Sequence, residues 1–271
     1  MKKSLIKSKF RTGVPALITG LYHPIDMFPR HAAAAGFDGI WIEAEHHLWE
    51  IREIQRMIYL CRLAGIDCLV RVATREKARL YQLLEAGATG LVIPQVSSVD
   101  EALALAEAVR FFPQGQRGLD GSGIDADFYL GADPDYPEQA NQESLLFLQI
   151  ENSEGLDAVE GIAAVPGVDA LFIGPGDLSL RLNCNLDPAL PVLREAEARI
   201  VAACVAGRIA WGRPALDETD CRYLLQADVG FVSYGSDFMA VLRTLPQWGA
   251  ELRAGLAATH PASIPTTRRD G

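Results

Sequence analysis

The chain has 271 residues, 49% hydrophobic and 22% charged, enough to bury a full core in one large α/β domain or two small ones. With 25 basic against 35 acidic residues its net charge is −10 at pH 7, which argues against nucleic acid and anionic membrane as partners. No apolar run approaches the length of a membrane span, the charged start at residues 1–9 lacks the apolar stretch of a signal peptide, and the five cysteines stand singly without a CxxC pair, so a reduced, cytoplasmic location is expected.

Along the chain, short runs apolar on both faces alternate with amphipathic stretches. Strands are expected at residues 16–21 and 38–44, then a helix over 51–64, where Ile51, Ile54, Met57, Ile58 and Cys61 recur at three- and four-residue spacing. A third strand (68–73), a helix (76–86), a fourth strand (90–95) and a helix (99–111) follow. Residues 113–141 are rich in Gly, Asp and Pro and break the rhythm; they read as a long loop, either a cover over a site or plain surface. Strands at 145–151, 169–174, 209–213 and 229–234 then alternate with helices over 156–165, 190–206 and 218–226. Glycines after Ala64, Ala86 and Ala206 sit where a left-handed residue ends a helix. Residues 238–258 read as one or two helices whose Leu245, Trp248, Leu252 and Leu256 would pack on the rest of the domain or on another subunit. The end, residues 259–271, has no apolar periodicity and reads as a disordered tail.

Eight strands with intervening helices predict an α/β fold, a single (β/α)8 TIM barrel over residues 1–258 with extra helix at its C-terminal end. A doubly wound open sheet is the alternative, weakened by the lack of a GxGxxG after the first strand.

Barrel enzymes carry their chemistry at the C-terminal ends of strands. Glu151 and Asp177 end two apolar runs and lie 26 residues apart, about one strand–helix–strand repeat, so both carboxylates should emerge at one end of neighbouring strands. Two hard oxygen ligands there suit Mg2+ or Mn2+, with Co2+ as a further candidate; the plainer reading is a helix cap and a solvated acid. His46, close to the end of the second strand, is the candidate general base, because an imidazole titrates near neutrality. Glu43 is expected to orient it, and Glu45 to point toward the metal side or into solvent. Arg71 is a charge within an apolar run and must meet a carboxylate, either of the substrate or of a protein acid such as Glu43. The Gly174-Pro175-Gly176 turn offers backbone amides to a carboxylate.

These stretches resemble the HpcH/HpaI family of metal-dependent pyruvate aldolases. The matching pieces are Gly36-Phe37-Asp38 through Glu45-His46, Val70-Arg71, Leu83 to Ala88, Leu91 to Val96, Arg117-Gly118, Gln149-Ile150-Glu151 and Phe172 to Ser179, in consistent order over residues 13–245. The resemblance implies a (β/α)8 barrel, usually a hexamer with sites near subunit interfaces. It implies Glu151 and Asp177 as metal ligands, His46 as base, Arg71 as the enolate-stabilising arginine, and Gln149 and Gly176 as contacts to the pyruvate part. Glu43 and Glu85 stand where family members commonly have Asp, at positions associated with tuning the histidine, the second from across an interface. Gly176 replaces a usual Ala, and His47-Leu48-Trp49 is bulkier than the usual segment.

The expectation is therefore a carbon–carbon lyase that cleaves a 4-hydroxy-2-oxo acid to pyruvate and an aldehyde, with small molecules as its partners. No lysine at a strand end supports a Schiff-base route. Alternatives on the same site are oxaloacetate decarboxylation or cleavage of a malyl- or citramalyl-type thioester; from another class, a non-catalytic barrel that binds a 2-oxo acid.

Overall fold

A computed structural model describes residues 2–130, 133–187 and 190–260. Eight parallel strands close into a barrel in sequential order: β1 (Ala16–Leu21), β2 (Gly39–Glu43), β3 (Asp67–Arg71), β4 (Gly90–Ile93), β5 (Leu145–Ile150), β6 (Ala170–Ile173), β7 (Ala210–Pro214) and β8 (Phe231–Ser236). The open sheet is excluded by the pairing of β1 with β8, Ala16 beside Phe231 and Leu17 beside Val232.

Twelve helices are described: α1 (Leu5–Thr12), α2 (Phe28–Ala34), α3 (Ile51–Ala64), α4 (Lys77–Glu85), α5 (Val99–Val109), α6 (Tyr136–Glu143), α7 (Ser153–Asp157), α8 (Val159–Ala163), α9 (Pro175–Arg181), α10 (Pro191–Gly207), α11 (Glu218–Gln226) and α12 (Asp237–Thr259). The strands are buried on both faces, so two cores form. The outer one packs strand residues such as Ile42, Val70, Leu148 and Ile173 against Met57, Ile58, Leu84 and Ile200 of the helices. The inner one fills the barrel with Ile18, Trp41, Leu69, Val92, Phe147, Phe172 and Phe231. Its rings interlock, Phe172 edge-on to Phe231 at 5.3 Å and Trp41 edge-on to Phe172 at 5.7 Å. Helix α1 plugs the opposite end: Ile6 is fully buried in the inner core, Phe10 stacks on Phe147, and the Ser4 hydroxyl and Ile6 N–H donate to the Asp67 carboxylate.

Several expectations are corrected. Helices α1, α2 and α6 had no expected counterpart, because eight residues or fewer give an apolar stripe too short to read as periodic. Residues 113–141 are not one loop. They hold a 3-10 turn (Ile124–Tyr129) and the start of α6, organised by Arg117, which donates to Asp125 at 2.9 Å and lies over the Phe111 ring. Gly207 is the last residue of α10, and Arg208 takes the left-handed conformation at φ 57° instead. The glycine is required by close approach, since a Cβ there would lie 2.3 Å from the Ala163 carbonyl oxygen. The segment after β8 is one helix, α12, whose Leu245, Trp248, Leu252 and Leu256 stay exposed rather than packing on the barrel. The expected tail lies outside the described residues from 261 onward. Among the described residues no helix is long and apolar enough to cross a membrane, and all five cysteines are free thiols.

Candidate active site

At the C-terminal mouth of the barrel, above the Trp41 and Phe172 rings, lies a cavity of about 400 Å3. Its wall brings together His46, Arg71, Gln149, Glu151, Gly174, Pro175, Gly176 and Asp177, from four different βα connections. Glu43 is fully buried just outside the wall, and Glu85, at the end of α4, is not brought to the cavity of its own chain.

Strand register explains the grouping. Glu43 on β2 is the direct partner of Arg71 on β3, and the Arg71 guanidinium ion-pairs with the Glu43 carboxylate. The second arm of Arg71 meets Glu45 Oε2 at 3.3 Å and donates to Gln149 Oε1 at 3.4 Å, and its guanidinium lies 5.0 Å from the Trp41 ring. Arg71 thus has protein partners at both terminal nitrogens, and it still lines the cavity. Glu43 does not touch the imidazole it was expected to orient. Its Oε1 accepts from the backbone N–H groups of Glu45 and His46, both at 2.9 Å, and so shapes the turn that carries the ring. The His46 ring is half exposed, with Nε2 3.6 Å from Glu45 Oε2. His47 does not line the cavity and lies edge-on to Tyr22 at 5.2 Å.

Glu151 is 1% exposed. Its Oε1 accepts from the Gln95 N–H at 2.7 Å and its Oε2 from the Gln149 amide at 2.5 Å. Gln95 delivers that N–H from a left-handed backbone, φ 53°, a strained choice for a side-chain-bearing residue. Burial, with the Glu45 and Asp177 charges, pushes the Glu151 carboxyl up to about 7 against the pull of the Gln95 N–H and Arg71. Gly174 follows β6 against this acid, where a Cβ would fall 2.3 Å from Glu151 Oε2 and 2.7 Å from the Gln149 amide nitrogen. Asp177 enters from the first turn of α9, half-buried on the same wall. Its neighbour Gly176 has nothing within 4 Å of a built Cβ, so the alanine usual in the resembling family would fit.

Residues 26–244 match the profile of the HpcH/HpaI aldolase/citrate lyase family. The chain belongs to that family. A hydroxypyruvate/pyruvate aldolase of Pseudomonas aeruginosa is 33% identical over 233 residues, 86% of each chain. A 5-keto-4-deoxy-D-glucarate aldolase of Citrobacter koseri is 32% identical over 213 residues, 79% of this chain and 82% of that one. The crystal structure of a family member from Burkholderia cenocepacia superposes with a TM-score of 0.85 at 31% identity, covering 93% of this chain and all of the other. The protein is an enzyme of the lyase class, a pyruvate aldolase, with the TIM barrel of its relatives.

Reading strand ends in the sequence missed the far wall of the cavity: Tyr22 after β1, Pro214 at the end of β7 with Ala215 and Leu216 after it, Ser233 and Tyr234 of β8, and Met239 and Arg243 of α12. The available signal was that the eighth expected strand ends at Tyr234.

Proposed function

We propose that the protein catalyses reversible, divalent-metal-dependent aldol cleavage of a 4-hydroxy-2-oxo acid to pyruvate and an aldehyde. The observation that carries this reading is the convergence of Glu151 and Asp177 on one wall with Arg71, Gln149 and His46.

The residues fit a hard divalent cation. Glu151 is buried, and burial with the Glu45 and Asp177 charges pushes its carboxyl up to about 7; a hard cation held there would offset both effects. The missing Cβ of Gly174 leaves the space at Glu151 Oε2 open. Among the described residues no group of three or more His, Cys, Asp or Glu side chains is arranged to hold a metal, so two carboxylates would leave most of the shell to substrate and water. Mg2+ and Mn2+ suit such a set best, with Co2+ a further candidate.

When bound, the cation supplies Lewis-acid stabilisation of the charge that develops on the pyruvate half. The chain's own groups do the rest. The Arg71 guanidinium, prepositioned by Glu43 and Glu45 and lining the cavity, faces the developing oxyanion. Gln149, tied to Arg71 and Glu151, sets the spacing between oxyanion and cation. His46, directly or through a water, takes the C4 hydroxyl proton as the C3–C4 bond breaks and returns it in the addition direction. Trp41 and Phe172 keep water from beneath the reacting carbons.

The test is pyruvate release from 4-hydroxy-2-oxo acids with and without chelator. Full activity in excess EDTA, or in the Glu151→Ala/Asp177→Ala double variant, refutes the metal mechanism. The P. aeruginosa relative's name makes hydroxypyruvate a second nucleophile to assay. Oxaloacetate decarboxylation, thioester cleavage and a non-catalytic barrel are not favoured, because the relatives carry aldolase names. We further infer a cytoplasmic homo-oligomer, a hexamer by family resemblance. The exposed apolar face of α12 supports association, and Glu85 would then serve a neighbouring subunit's cavity.

A further inference from the structure

We propose that Arg75, braced by Glu101, is a positioning residue of the aldolase site: it holds the turn that carries Gln95, and through the Gln95 N–H it sets the Glu151 carboxylate for the cation. The inference rests on the metal-dependent reading and deepens it.

Arg75 lies in the connection from β3 to α4 and does not line the cavity. One terminal nitrogen of its guanidinium pairs with Glu101 in the first turn of α5. The other donates to two successive backbone carbonyls, Pro94 at 2.6 Å and Gln95 at 3.0 Å. The second oxygen of Glu101 accepts from the Ser97 N–H at 2.9 Å. The connection from β4 to α5 is therefore gripped on both sides of Gln95. An exposed arginine–glutamate pair is ordinary on a protein surface and contributes little. This one ends on the backbone of the residue held at φ 53°, whose N–H donates to Glu151 Oε1 at 2.7 Å. A left-handed residue that carries a side chain persists only where its surroundings over-determine it. The guanidinium can do so because its donors point in fixed directions. Glu45 and Glu151 also act on Arg75 through their charges. Two opposed expectations follow. As a positive charge alone, Arg75 repels a cation, and its loss tightens metal binding. As a positioning residue it supports a ligand, and its loss weakens metal binding.

The experiment is calorimetric titration of Mn2+ into the substrate-free enzyme, for wild type, Arg75→Ala and Arg75→Lys, each also combined with Gln95→Gly. Arg75→Ala should raise the Mn2+ Kd by about tenfold, the lower end of the range for groups that support a metal's ligands. Arg75→Lys keeps the charge and a donor and should recover part of that loss. Glycine adopts a positive φ without strain, so in the Gln95→Gly background the loss of Arg75 should change Kd by no more than about twofold. Arg75 is exposed, so neither change threatens folding, and melting curves check that each variant is intact. Equal or tighter Mn2+ binding in Arg75→Ala overturns the proposal and leaves the metal reading standing, as does an equal loss in the Gln95→Gly background. Wild-type enzyme that takes up no Mn2+ overturns both.

Discussion

Glu43 and Arg71 are register partners on adjacent strands, and their side chains form a buried ion pair at the edge of the cavity. The pair does two jobs. It fixes a guanidinium on the cavity wall, and through Glu43 Oε1 it holds the turn that carries His46. Arg71→Lys keeps the charge and loses the planar fork, so kcat for retro-aldol cleavage should fall by about a hundredfold, the scale of losing one oxyanion donor. Glu43→Ala should do more than slow the reaction. It leaves a buried guanidinium with only Glu45 as a carboxylate partner, and thermal unfolding should report a loss of about 3 kcal/mol. Equal melting temperatures for Glu43→Ala and wild type would contradict the pairing.

Gly174 and Gly176 make a matched test of the proposed cation site. A methyl at Gly174 meets Glu151 Oε2 at 2.3 Å, while one at Gly176 meets nothing within 4 Å. Gly174→Ala should therefore displace the carboxylate and weaken Mn2+ binding, measured by calorimetry, by at least about tenfold, the scale expected for disturbing a ligand's support. Gly176→Ala should bind Mn2+ as wild type does. It should also melt slightly higher, because alanine in the first turn of α9 removes unfolded-state freedom worth about 0.5 kcal/mol. Equal metal affinity in the two variants would refute the close-approach argument.

Gln95 offers a third handle on the same acid. Its N–H reaches Glu151 Oε1 from a left-handed backbone. Gln95→Gly keeps the N–H and removes the strain, so activity should survive. Gln95→Val adds branching where φ is positive, which costs about 1–2 kcal/mol at that residue and pulls the donor off the carboxylate. The prediction is a rise in the metal concentration for half-maximal activity in Gln95→Val alone.

The parts legible in the sequence are those that depend on strand ends alone. Glu151 and Asp177 follow consecutive apolar runs, and parallel strands deliver both to one mouth whatever the details between them. That His46 rather than His47 lines the cavity was legible for the same reason, being nearer the end of β2. What depends on register or on irregular turns was not. The sequence offered Glu43 both as a partner for Arg71 and as the group that orients the imidazole, and only the register of β2 with β3 decides for Arg71. Arg243 looked like one charge on a long amphipathic helix, since nothing local tells that the turn after β8 aims the first two turns of α12 at the mouth. Gly207 looked like a helix stop, and the contact that demands a glycine there comes from Ala163 on another helix.

Beside the cavity, β7 ends in a buried charge network that also sets the loop carrying Pro214 and Leu216 to the wall. Arg213 makes a two-pronged pair with Asp220 at 2.6 and 2.8 Å and a further bond to Glu197 at 2.6 Å. Burial pushes the Asp220 carboxyl up, but Arg213 and the Leu216 N–H outweigh it and leave it below the ordinary carboxylate value. A carboxyl depressed by folding stabilises the protein at pH above its unfolded value, about 3.9. That stability is lost as pH falls through the folded value. Asp220→Asn should cost about 3 kcal/mol at pH 7, since the guanidinium keeps only Glu197 as a charged partner. Melting curves taken from pH 7 down to pH 3 should show the gap between wild type and variant constant to about pH 5 and narrowing below about pH 4, as the wild-type carboxyl takes up its proton. A gap that widens with acid would reverse the sign and place the stabilisation elsewhere in the network.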